Sequence, residues 1–427
     1  MSWTYYEKTD EKAFCAQLPN GLTVKIVPKR GFTKSLAYFV TDFGSIHRQF
    51  ELDGQVYHTP AGVAHFLEHK MFELPDRDVS AEFAALGGNV NAFTSFDMTA
   101  YYFSCTANFK ENLRLLLEFV STPYFTQESV EREYGIIDQE IAMNEDAPDS
   151  REFNALMQKL YTCHPVREEI LGSRESIRQI TAETLSTCHR AFYTPANMIL
   201  CVVGDVDAEE VVAIAREVLG DEYRPAAKKL KNWQESMESD TAPALLRQEV
   251  AMPTFQIGFK CEPAGRGSDA LKTDVIGYLA AELLFGESSS LYLQLYEEGV
   301  IDTSFGGSFE TIDGCAMLTC GGDSDQPEKI YQAALDKAAD LVQNGLQEQE
   351  FVRLKRGAMG RRIRDLDSFE AICFRQCAYH FLGFDYFLFP SVYADVTAEE
   401  VCEFLDRVVR PVRSAMAITQ PISEEET

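Results

Sequence analysis

The segment His65-Phe66-Leu67-Glu68-His69 sets two imidazoles four residues apart, with a carboxylate three residues after the first. On a helix all three project from roughly the same face, so both rings can bind one metal ion while the carboxylate reaches a water molecule beside it. Histidine and carboxylate donors suit zinc, which in reactive sites takes three protein ligands and keeps a fourth position for water. A third ligand must then come from elsewhere. The acidic stretch 129–140 contains Glu133 and Glu140, seven residues and two helical turns apart and hence on one face. Spacing alone leaves both open. The remaining histidines, His47, His58, His164, His189 and His380, lack comparable partners and read as ordinary surface or core residues.

The elements that must position these groups follow from the hydrophobic pattern. A turn at Pro19-Asn20-Gly21 precedes an alternating run to Val27, and Leu36 to Val40 gives a second strand. Helical patterns follow at about residues 61–72 and 80–86. The Gly87-Gly88 break then leads into strands near 91–93 and 101–105. The second half repeats this order. Residues 63–72 align with 276–285, and Thr181-Ala182-Glu183 opens a helix as Thr397-Ala398-Glu399 does. Each of those helices leads to an apolar strand, at 198–203 and at 415–418. Residues 224–247, polar and without sustained periodicity, read as a linker between domains at 1–223 and 248–427. Strand pairs with short connections and successive helices imply an α+β fold. Two homologous domains are expected, each a mainly antiparallel sheet with helices packed on one face.

A 427-residue chain that is 45% hydrophobic and 25% charged is an ordinary globular composition, long enough for two cores. Its net charge of −28 offers no basic stripe to displace counterions, so nucleic acid is not an expected partner. No run approaches the roughly 18 apolar residues of a membrane span, and the start lacks a basic then apolar leader, so the chain reads as cytoplasmic and free of the membrane. The eleven cysteines include no Cys-x-x-Cys pair. Cys373 and Cys377 share a helix face without a second pair, so reduced, mostly buried thiols are expected.

Several motifs together resemble the pitrilysin and insulinase family of inverted zinc peptidases. They are Leu18-Pro19-Asn20-Gly21-Leu22, Gly44-Ser45, His65 to His69, Asn91-Ala92-Phe93-Thr94, the pair Glu133 and Glu140, and Asn197-Met198 with Gly204-Asp205. The resemblance covers essentially the whole chain. It points to the short bacterial two-domain branch, similar to the subunits of mitochondrial processing peptidase. It implies Glu140 as the third zinc ligand, Glu133 as its support from behind, and Glu68 as general base. The expected activity is zinc-dependent endopeptidase cleavage of extended peptides by a zinc-activated water, with the substrate main chain added beside Asn91, Ala92 and Phe93.

The second half has Tyr278, Ala281 and Glu282 where the first has His65, Glu68 and His69, and its stretch 355–362 is basic. The resemblance therefore implies one catalytic copy and one inactive copy. Complete family members also carry an Arg and a Tyr in the second half that grip substrate carbonyls, whereas Tyr296 and Asp302 stand at or near those positions here. A homologous zinc-less subunit supplying both groups in a heterodimer is one expectation, and a homodimer or self-contained peptidase the other. The competing class is a non-proteolytic scaffold or accessory subunit of the same fold, against which the intact zinc motif argues.

Overall fold

Seven strands make the first sheet of the computed structural model, which describes residues 1–75 and 77–422. Their order is Ser2–Tyr6, Glu11–Gln17, Thr23–Pro28, Met198–Gly204, Ser35–Thr41, Thr99–Cys105 and Gly88–Thr94. All neighbours are antiparallel except Met198–Gly204 beside Thr23–Pro28. A second sheet runs Ala244–Gln248, Ser414–Pro421, Thr254–Cys261, Cys315–Asp323 and Gly306–Ile312, again with one parallel pair, between its first two members. It reproduces the order of the last five strands of the first sheet. The repeat in the sequence is thus a repeat of topology, and the fold is α+β with two similar domains.

The first sheet belongs to a compact unit made of Met1–Ile141, Glu169–Asn232 and Ile363–Leu388. The second belongs to a unit made of Ala142–Glu168, Trp233–Arg362 and the chain from Phe389 onward. The units are interleaved along the chain, whereas the sequence suggested consecutive domains at 1–223 and 248–427. Two helices account for the exchange. Helix Phe369–Phe381 lies on the first sheet, where the rings of Phe374 and Phe93 approach to 6.1 Å and Cys373 Sγ donates to the Cys201 carbonyl at 3.7 Å. Helix Pro148–Leu160 lies on the second sheet, and a Cβ at Gly258 would stand 2.7 Å from Leu160 Cδ1. The stretch 224–247 contributes short strands to both units, with Lys228–Lys229 pairing to Gln49–Leu52 and Ala244–Gln248 to Ser414–Pro421.

Helices consequently cover both faces of each sheet rather than the single face expected. All seven residues of Ser35–Thr41 are buried. Phe39 joins Phe66, Tyr101, Phe103 and Phe119 in the main core, while Tyr38 on the opposite face meets Tyr102 and Phe93. In the second sheet Gly258 faces Leu160, whereas its neighbour Phe259 stacks on Tyr331 of helix Pro327–Asn344 at 6.3 Å. Among the described residues no helix is long and apolar enough to cross a membrane.

Candidate metal centre

Helix Val63–Met71 begins at Gly62, whose φ of 87° lies in the left-handed region. A Cβ there would also stand 2.3 Å from the Leu171 carbonyl oxygen, so glycine is what lets the chain turn into the helix at this point. Val63, Phe66, Leu67 and Met71 anchor the helix in the core. That orientation directs His65, Glu68 and His69 toward a second helix, Gln127–Asp146, which carries Glu133, Ile137, Glu140 and Ile141 along one face. Tyr134 fastens the two together. Its ring meets Phe66 at 5.8 Å, and its hydroxyl donates to the Ile180 carbonyl at 2.6 Å.

Glu140 reaches both imidazoles: Oε1 lies 3.5 Å from His65 Nε2, and Oε2 lies 3.5 Å from His69 Nε2. One ligand atom from each of the three residues falls within 4.8 Å of the others, and no other such trio of His, Cys, Asp or Glu occurs among the described residues. Donors about 2.1 Å from a tetrahedral ion stand about 3.4 Å apart. The donor set and its spacing therefore fit zinc.

The structure also separates the two glutamates that spacing left open. Glu133 Oε1 lies 3.0 Å from Nδ1 of His69, the nitrogen turned away from Glu140. An acceptor there holds the ring proton on Nδ1 and leaves the Nε2 lone pair facing Glu140. Burial pulls the His69 imidazole toward a lower pKa, but the hydrogen bond and charge of Glu133, with Glu68 and Glu140, outweigh it and raise it. Burial likewise pushes Glu133 up, and its bond to His69 and the charge of Lys70 more than reverse that. Glu140 is held below its ordinary value by its bond to His65, against burial. His65 Nδ1 is buried without a hydrogen-bond partner among the described residues.

Glu68 is 8% exposed. Burial raises its pKa, opposed by a hydrogen bond from Thr94 and by the two histidines. The Thr94 hydroxyl donates to Glu68 Oε2 at 2.6 Å. Thr94 ends the strand Gly88–Thr94, which lies at the edge of the first sheet and pairs only with Thr99–Cys105 among the described residues. Ala92 packs toward the main core, while Phe93 turns to the other face against Tyr38, Tyr102 and Phe374. Asn91 is exposed, and its Oδ1 accepts the Ala92 N–H at 2.8 Å. Of these three candidates, then, only Ala92 shares the sheet face of Thr94.

Residues 53–174 match the family model described as insulinase (peptidase family M16), and residues 179–358 match the one described as peptidase M16 inactive domain. A Bacillus subtilis protein named uncharacterized zinc protease YmfH is 36% identical over 428 residues, spanning 98% of this chain and 99% of that one. The chain belongs to the M16 peptidase family. A crystal structure described as that of an M16-like peptidase from Alicyclobacillus acidocaldarius superposes with a TM-score of 0.92 at 33% identity, covering 96% of this chain and 99% of the other. A protease from Helicobacter pylori shares the fold with a TM-score of 0.83 at 18% identity, covering 96% of this chain and all of that one.

In the second unit of this M16 chain, Tyr296 is 49% exposed on helix Ser290–Glu297 and stacks on Tyr292 at 6.0 Å. Asp302 is engaged locally, accepting from Ser304 N at 2.8 Å and Ser304 Oγ at 2.6 Å. The roles of two residues around the M16 motif escaped the sequence reading. Thr94 closes the Asn91-Ala92-Phe93-Thr94 motif, and its place at the strand end was the available signal. Lys70 is 1% exposed, and only its spacing to Glu73 hinted at a partner.

Proposed function

We propose that this M16 chain is a zinc-dependent endopeptidase acting on extended peptides. The reading is carried by one observation, the meeting of His65 Nε2, His69 Nε2 and the Glu140 carboxylate at 3.5 Å with Glu68 on the same short helix. The name of the B. subtilis relative, a zinc protease, supports it. His65, His69 and Glu140 would hold the ion. When bound, zinc supplies Lewis acidity and draws the pKa of a coordinated water toward neutrality.

The chain's own groups do the rest. Glu133 fixes the tautomer and aim of His69. Glu68, made a stronger base by burial, takes a proton from the attacking water and returns it to the leaving amine nitrogen. Thr94 occupies one Glu68 oxygen and leaves the other for that proton. The open edge of Gly88–Thr94, including Asn91, Ala92 and Phe93, accepts a peptide main chain as an added strand, which gives affinity with little sequence demand.

A partner forms part of the proposal. Tyr296 and Asp302 stand where carbonyl-gripping Arg and Tyr groups were expected, so a homologous zinc-less subunit is the proposed source of both, ahead of a homodimer. Eleven free thiols, eight of them buried, favour a reducing, cytoplasmic setting. The test is zinc content together with cleavage of a mixed peptide library, by the protein alone and with such a relative, using Glu68→Gln as control. Absence of zinc-dependent cleavage in every preparation overturns the peptidase reading, and equal activity in both removes the partner.

A further inference from the structure

Lysine is almost never fully buried without a partner, because removing an ammonium group from water costs several kcal/mol. Lys70 is nonetheless 1% exposed, one residue beyond His69. Its Nζ donates to Glu73 Oε2, to the Ser129 carbonyl at 3.3 Å and to Glu133 Oε2 at 3.4 Å. Glu133 uses its other oxygen, Oε1, for His69 Nδ1 at 3.0 Å. One carboxylate is therefore shared between the buried ammonium and the imidazole. Glu73 is itself held by Arg132 at 2.7 Å, which ties the Lys70 end of the chain of contacts to the acidic helix.

We infer that Lys70 is a positioning residue for the metal centre, pinning Glu133 so that this carboxylate holds His69 Nδ1 and aims Nε2 at the ion. The inference rests on the zinc reading proposed above. The physical argument is one of charge and reach. Glu133 is only partly accessible, with a side chain 11% exposed, and its local counter-charge is Lys70. With Lys70 replaced by an apolar group, the carboxylate has reason to turn toward water, and His69 loses the acceptor that fixes its ring. Outer partners of this kind are worth about 10–100-fold in metal affinity. An unbranched methionine fills a similar volume, so packing and charge can be separated at this position.

The experiment measures zinc affinity, by competition with a chromophoric chelator, for the parent, Lys70→Met, Lys70→Arg, Glu133→Gln and the Lys70→Met/Glu133→Gln double variant. The absorption band of the cobalt-substituted proteins reports ligand geometry independently of turnover. Lys70→Met is expected to weaken zinc binding about 10–100-fold and to shift the cobalt band, while Lys70→Arg stays near the parent. In the Glu133→Gln background the Lys70→Met loss should vanish, since Lys70 has lost the group it acts through. A Lys70→Met protein that binds zinc as the parent does, or a loss that persists undiminished beside Glu133→Gln, overturns the inference. If Lys70→Met does not fold, Lys70→Gln takes its place in the same cycle with the same two outcomes. A parent that binds no zinc, or binds it equally after His65→Ala, overturns the zinc reading instead.

Discussion

Arg361 Nη2 lies 2.8 Å from Glu282 Oε2, and its Nε donates to the Tyr278 hydroxyl at 2.8 Å. Arg361 stands thirteen residues after the first residue of helix Glu348–Arg364, as Glu140 does in Gln127–Asp146. Tyr278 and Glu282 align with His65 and His69. In the second copy of the fold, then, a guanidinium cation bridges the two positions whose counterparts in the first copy, with Glu140, are the proposed metal ligands. Arg361→Met should destabilise the second unit by about 1 kcal/mol, a modest loss because the group is half exposed. The triple change Tyr278→His, Glu282→His, Arg361→Glu should raise zinc from about one to about two ions per chain. Metal analysis showing no second ion would mean that the two copies differ by more than these three side chains.

Glu68→Gln keeps the shape of the side chain and removes its basicity. Zinc content should stay at the parental level while kcat falls by about 10²–10⁴-fold. The informative comparison is with His65→Ala, which should lose both zinc and activity. Parental turnover by the Glu68→Gln protein would remove the general base from the mechanism.

The histidine motif was legible because metal chemistry fixes residue type and helical spacing together. The repeat was legible because both copies keep the same order of apolar strands. Neither signal says which sheet an amphipathic helix will cover. The pattern of Pro148–Leu160 is equally consistent with either sheet, so the interleaving of the units could not be read. The same limit hid Cys201, which lies 172 residues before Cys373, the thiol that donates to its carbonyl across the sheet face. Glu133 and Glu140 share a helix face, and only their contacts with the two histidines distinguish them.

His189 predicts how the first unit responds to acid. It is 6% exposed and stacks on Tyr193 at 4.8 Å, with Nε2 donating to the Val120 carbonyl at 3.1 Å. Burial drives its pKa down from 6.5 to about 4. Between those values the unfolded chain takes up a proton that the folded chain refuses, so stability falls as pH falls from about 6.5 toward 4 and is fully present above that window. The full effect is about 3 kcal/mol. Urea unfolding of the parent and of His189→Gln from neutral pH to about pH 4.5 isolates it, because the other titrating groups are common to both. Parallel curves for the two proteins would show that His189 is not the source.

Thr94 links the open strand edge to the base, since its hydroxyl donates to Glu68 Oε2 at 2.6 Å from the last position of Gly88–Thr94. Thr94→Val preserves shape and strand propensity but leaves the Glu68 carboxylate free to rotate. Loss of one hydrogen bond to a charged group, about 1.5 kcal/mol, corresponds to roughly a tenfold fall in kcat. KM should change little, because the strand's main chain is untouched, and zinc content should not change at all. Thr94→Ser restores the donor and should recover most of the rate. A rise in KM alone, or a serine variant no better than valine, would assign Thr94 to the strand's packing rather than to the orientation of Glu68.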